Sequence, residues 1–164
     1  MNAKSIACIA LLVVACGAAY AETIAILVTD SDPPSASERV LSFVEQGAME
    51  RMFNQGHIVF NLGFDPEDEA LFARAVDDAF DGGANFVVFL RVARGSGERL
   101  AARPASVTVT VIDVRTELTV LETLVLATQI PQNSEMGVDR LSERLGDVGA
   151  LAALESIVDG ATAW

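Results

Sequence analysis

Asp30 and Asp32, two residues apart behind the apolar run Thr23–Val28, are the pair of side chains best spaced for chemistry in this sequence. Carboxylates leaving the carboxyl end of a sheet strand are where α/β enzymes often bind a metal or a substrate. A phosphatase built on Asp-x-Asp also needs a lysine, and the only lysine here is Lys4. Followed by Pro33-Pro34, the same two residues suit a turn that feeds a helix N-terminus, and that structural role is the expectation. His57, the single histidine, is the other candidate, as a base or a ligand. No two partners stand at a recognisable metal spacing from it, so a place at the start of a strand is expected.

The remaining motifs are weaker. Gly95-Ser96-Gly97 lacks the third glycine and the following helix of a phosphate loop, and reads as a connection. Asp77, Asp78 and Asp81 lack the spacing and closing glutamate of a calcium loop, and read as a solvated helix face. Arg91 and Arg94, near the end of an apolar strand, are expected to pair with Asp113 of the next strand, with an anion site as the other reading. No trio of nucleophile, base and orienting group can be named. The expectation is a non-enzyme without cofactor or metal; the alternative is a small periplasmic hydrolase using Asp30 and Asp32.

The first 21 residues narrow the inventory further. Asn2–Lys4 form a weakly basic head and Ser5–Ala15 an apolar core, and Ala19-Tyr20-Ala21 has the small residues of a cleavage site. The apolar core is shorter than the roughly 20 residues that span a bilayer. A second signal overlaps the first: Val13-Val14-Ala15-Cys16-Gly17 has the form of a lipobox, in which Cys16 would become an acylated first residue. Cleavage after Ala21 is the expected processing and lipidation at Cys16 the alternative. Cutting after Ala21 leaves residues 22–164 as one domain and removes Lys4, Cys8, Cys16 and Tyr20, the only residues of their three types. Disulfides, thiolate metal sites, a cysteine nucleophile and a Schiff-base lysine go with them. The net charge of −12 becomes −13 with the loss of the one lysine. Such a surface repels nucleic acid and anionic membranes, so no nucleic acid is expected as partner, and a membrane only with lipidation at Cys16.

The elements that position these residues follow from periodicity. Thr23–Val28 is a β-branched apolar run, a buried strand. Ser35 and Glu38 stand in capping-box spacing before a helix with Val40, Leu41, Val44, Ala48 and Met52 on its inner face, closed by Gly56. A strand is expected over 57–62, and a second helix opened by Asp65-Pro66. Its inner face is Phe72, Ala75, Val76, Ala79 and Phe80, and Gly82-Gly83 end it. Phe86–Ala93 is almost wholly apolar, as in a strand covered on both faces. Two longer strands, Val107–Val114 and Thr119–Gln129, flank a turn near Thr116-Glu117-Leu118. Ser134 can cap a last helix through Val138, Leu141, Leu145, Leu154 and Ala161, bent at Gly146 and Gly149. The order βαβαβββα implies a single layered α/β domain (α+β mixed), with a mixed five-stranded sheet and helices packed on it.

That order and three short stretches resemble a family of bacterial envelope domains. Its members include the curli secretion channel subunit, lipoprotein activators of penicillin-binding proteins and the amino-terminal domain of TolB. Ile24-Ala25-Ile26-Leu27-Val28 is similar to their first strand, and Gly83-Ala84-Asn85-Phe86-Val87-Val88 to their entry into the third, with Asn85 where aspartate is usual. Val109–Thr116 resembles their strand ending in Asp and a Thr-Gly turn, with Glu117 in place of the glycine. The resemblance implies an exported, non-catalytic domain that binds or organises envelope components through protein contacts, in the periplasm or secreted. Lipidation would instead tie it to the outer membrane. The implied partner is an envelope protein or further copies of the chain. One surface is suggested by the strand order: Thr119–Gln129 has no later strand to cover it, so either its edge is open to a partner strand or the last helix covers it.

Overall fold

The computed structural model describes residues 21–31, 38–63, 71–95, 103–131 and 136–161, with Leu71 and residues 159–161 described by backbone alone. The elements are β1 (Thr23–Asp30), α1 (Glu38–Asn54), β2 (Ile58–Asn61), α2 (Leu71–Asp81), β3 (Phe86–Arg94), β4 (Pro104–Asp113), β5 (Leu118–Leu126) and α3 (Val138–Ala161), with a 3-10 turn at Ala127–Gln129. They form one mixed five-stranded sheet of order β2-β1-β3-β4-β5. β1 is parallel to both β2 and β3, as strands joined through helices must be, and β3, β4 and β5 are antiparallel.

Alternation along the strands divides the core between two faces. On one, Ile24, Ile26, Val28, Val88, Leu90, Val92, Val107, Val109 and Val111 meet Val44, Ala48 and Met52 of α1 and Leu141, Leu145 and Ala150 of α3. On the other, Ala25, Leu27, Val87 and Phe89 meet Ala75 and Ala79 of α2. Nearly every residue of the β1 and β3 interiors is buried, the burial expected of strands covered on both sides.

The helix ends show why glycine stands where it does. Gly56 has φ 90°; its N–H donates to the Phe53 carbonyl and the His57 N–H to the Met52 carbonyl. Gly83, at φ 76°, repeats the pair, with Gly83 N–H to Phe80 and Ala84 N–H to Ala79. Both are Schellman closures, which need a residue in the left-handed region at that point. Because His57 completes the first, β2 begins one residue later than expected, at Ile58.

Other boundaries moved for reasons of pairing. β1 runs on through Thr29 and Asp30, which pair with Arg91 and Val92. β4 starts at Pro104, beyond a register shift at Ala93/Arg94; a proline is tolerated as first residue of a strand. β5 stops at Leu126, where the Gln129 side chain accepts the Leu126 N–H at 3.0 Å and the chain turns into the 3-10 segment. The caps expected at Ser35, Asp65-Pro66 and Ser134 lie outside the described residues.

α3 is one continuous helix, and its glycines, read from the sequence as points of bending, have a packing role. A Cβ on Gly146 would lie 1.9 Å from the Val44 carbonyl oxygen, and one on Gly47 2.0 Å from that of Glu143. The backbones of α1 and α3 therefore touch through two glycines. Gly149 faces Val109 and Leu90 of the sheet. Gly146→Ala should cost about 2 kcal/mol or more through overpacking, despite the roughly 1 kcal/mol that alanine usually gains over glycine in a helix. Gly137→Ala, with open space around it, is the matched control and should change little. Urea unfolding of the two variants measures the difference.

Candidate functional site

Asp30 is the last residue of β1, and its side chain is 5% exposed. It faces Arg94, whose Nη2 lies 3.8 Å from Asp30 Oδ2. The arginine expected to meet Asp113 meets Asp30 instead. Antiparallel pairing explains the correction: it sets Asp113 level with Phe86, at the opposite end of β3 from Arg94. Asp113 has its own task, accepting the N–H groups of Arg115 and Thr116 at 2.9 Å each and so opening the hairpin turn. Glu117 follows in the left-handed region at φ 56°, the position where the resembling domains carry glycine. Arg91 is not paired with Asp113 either; its guanidinium sits 5.0 Å from the ring centroid of Phe72, which in turn lies 4.6 Å from the ring of Phe89.

Asp32 lies outside the described residues, as do Ser96 and Gly97 of the glycine-rich connection and Cys16. His57 is half-buried, and its Nδ1 accepts the Glu22 N–H at 3.2 Å. It stands beside Gln55, Leu151, Leu154, Glu155 and Val158 in an open cleft at the far end of the sheet from Asp30. The structure thus separates the two candidates. Asp77, Asp78 and Asp81 lie exposed on α2. Among the described residues no group of three or more His, Cys, Asp or Glu is placed to hold a metal, and no helix is long and apolar enough to cross a membrane.

Asn85 is a structural residue whose role the sequence did not disclose. Its Oδ1 accepts the Thr23 N–H at 2.9 Å, its N–H donates to the Thr23 carbonyl at 2.7 Å, and its carbonyl accepts the Val114 N–H at 3.0 Å. One residue thereby fixes the ends of β1, β3 and β4. Its amide oxygen takes the place of a carboxylate oxygen as acceptor, so asparagine can stand where the resembling domains have aspartate.

β5 has an outer side that no described strand pairs with. It is an outer strand of the sheet, with Leu118, Val120, Leu124 and Leu126 exposed and Val125 turned into the core. The last helix packs on the face of the sheet, in one core with Val107, Val109 and Val125. Direction along this edge is set by two hydrogen bonds. Leu126 N–H goes to Gln129, away from β4, and Val114 N–H goes to Asn85, away from β5. Since antiparallel strands alternate inward and outward backbone groups, Glu122, Leu124 and Leu126 turn theirs outward, while Leu121, Thr123 and Val125 bond β4. No described strand lies beyond them.

At the other edge, a shallow groove beside β2 is lined by Glu45, Met49, Phe53 and Val59. Glu45 Oε1 accepts the Asn61 Nδ2–H at 3.2 Å. Desolvation raises the carboxyl above its ordinary value, against the opposing pull of that hydrogen bond. A raised folded-state pKa adds stability below the ordinary carboxylate range that is lost as pH climbs through the raised value. Glu45→Gln, which keeps an acceptor for Asn61, is therefore expected to be more stable than the parent at pH 7, with the gap closing as pH falls to about 4. Thermal melts across that range check it.

No family model matches the sequence, and no curated protein does. Solved structures similar to it include a PelC dodecamer from Paraburkholderia phytofirmans, at 17% identity and TM-score 0.47, over 81% of this chain and 86% of that one. TolB from Acinetobacter baumannii is similar at 15% identity and TM-score 0.47, over 85% of this chain but 29% of TolB. The LpoB C-terminal domain from Salmonella enterica is similar at 13% identity and TM-score 0.40, over 71% and 90% of the two chains. TolB is also among the proteins named by the resemblance in sequence. At these values the likeness adds nothing about binding or chemistry.

Proposed function

We propose that this chain is an exported, non-catalytic binding or assembly domain of the bacterial cell envelope, acting in the periplasm through protein–protein contacts. The observation that supports this most is the outer edge of β5. A strand with exposed leucines and outward N–H and C=O groups is a template for an extended segment of a partner protein. The partner fitted to it is a strand with apolar residues at alternate positions, supplied by another envelope protein or a second copy of this chain. Glu122, midway along the edge and exposed, disfavours partners that place an acid opposite it.

Proline distinguishes the two sides of this strand. Leu124→Pro removes an outward N–H and leaves the β4 ladder intact, so the domain should fold and lose its native complex. Thr123→Pro removes a bond to β4 and should destabilise the hairpin. Native size of the chain in envelope extracts, together with circular dichroism of the purified variants, reads both. A complex that survives in folded Leu124→Pro would sink the reading.

The hydrolase alternative is tested separately. Asp32→Ala and His57→Ala are expected to leave complex formation unchanged. Asp30→Ala should instead act through stability, because it takes a buried carboxylate away from the half-buried Arg94 guanidinium. Loss of cellular function in any of the three without loss of stability would favour the hydrolase alternative.

A further inference from the structure

Among the described residues, the five most exposed large apolar side chains are Phe53, Leu118, Phe80, Ile58 and Val158, at 57–70%. All five stand at one end of the molecule. The register across the sheet puts Ile58 beside Thr23, Phe86 beside Ile24, Asp113 beside Phe86 and Leu118 beside Asp113. Phe53 and Phe80 lie in the closing turns of α1 and α2, each of which returns the chain to that end. Val158 reaches it from α3, across the cleft that holds His57.

The chain itself leaves from the same end. Glu22 is tied there by two hydrogen bonds, its N–H to His57 Nδ1 and its carbonyl from the Ile58 N–H. The apolar core of the leader, Ser5–Ala15, ends seven residues earlier. A chain of that length reaches at most about 25 Å. While the leader sits in a bilayer, this is the end of the domain held against it. Scattered exposed apolar residues need no explanation, but a cluster marks a contact surface.

We propose that this end is a lipid-facing surface, on which Phe53, Ile58, Phe80, Leu118 and Val158 enter the interfacial region of a bilayer. The proposal rests on the reading of the chain as exported, and not on the β5 edge. The charges around the cluster select the lipid. Glu22 is half-buried there and Asp81, Glu117 and Glu155 are exposed, against exposed Arg115 and half-buried Arg51, which Asp147 already neutralises. α2 and α3 also end without a basic residue in their last turn, so the negative ends of their dipoles face the same way. The surface is therefore apolar with an acidic surround, suited to zwitterionic headgroups and repelled by anionic ones.

Tryptophan fluorescence tests this on the protein recovered from its native envelope, with Trp164→Phe silencing the one native tryptophan. In that background Phe53→Trp reports on the apolar end and Leu124→Trp on the β5 edge. Vesicles of phosphatidylethanolamine and phosphatidylcholine with acyl chains brominated near the headgroup should quench most emission from the Phe53→Trp protein and little from Leu124→Trp. Replacing half of the lipid with phosphatidylglycerol should relieve that quenching. Three results overturn the proposal: no quenching at position 53, equal quenching at both positions, or stronger binding to the anionic vesicles. Blue-shifted emission at position 53 before vesicles are added would also overturn it, by showing that protein already covers this end. None of these outcomes bears on whether Leu124→Pro loses its complex, so the two proposals fail separately.

Discussion

The contact of two helix backbones at Gly47 and Gly146 is the constraint on which this architecture turns. A sheet of five strands presents a wide apolar face, and two helices must share it. They can do so as a single layer only by lying close, and here neither has a side chain at the crossing. Helix α1 then buries Val44, Ala48 and Met52 while α3 buries Leu141, Leu145 and Ile157 into one continuous core. Ion pairs stand on either side of the crossing, Arg39 with Asp139 at 2.6 Å and Arg51 with Asp147 at 2.5 Å. Each arginine is held protonated more firmly by its aspartate, chiefly through the hydrogen bond. At these exposures the pairs set helix register and add little stability.

The opposite face is built more sparingly. α2 covers the centre of the sheet, where Phe89 packs and Arg91 lies over Phe72. The hairpin of β4 and β5 continues beyond it with threonines and Glu122 outward. Thus β1 and β3 are enclosed, and the antiparallel hairpin is covered on one face. The longer of the two edge strands, β5, also has little cover along its length. That coincidence is what recommends β5 for the proposed pairing, whereas β2, four residues long, offers too short a template.

Much of this was legible in the residues. Apolar runs located the strands, and Gly56 and Gly82-Gly83 located two helix ends, because a Schellman closure demands glycine where few other residues fit. Strand lengths were harder, since Thr29 and Asp30 belong to β1 only through partners more than 60 residues away. The partner of Arg94 was misread for the same kind of reason. Arg94 precedes Asp113 by a connection and a strand, but a reversing chain brings the end of β3 to the start of β4, so an acid at the end of β4 is out of reach. Gly146 was read as a bend because one sequence cannot show that a second glycine faces it. Asn85 seemed a departure from a motif, and is an acceptor substituted for an acceptor.

The bonds at Glu22 carry a consequence for timing. β1 lies between β2 and β3, so it is locked only when the parallel half of the sheet closes. Its first neighbours, His57 and Ile58, then grip Glu22 from both sides of its peptide unit. A peptidase cutting at Ala21–Glu22 must draw several residues into an extended groove, and after closure those residues include the locked strand end. If the chain is cut after Ala21, as its sequence leads one to expect, that cut would compete with folding of the central strand, and the faster of the two would decide the outcome.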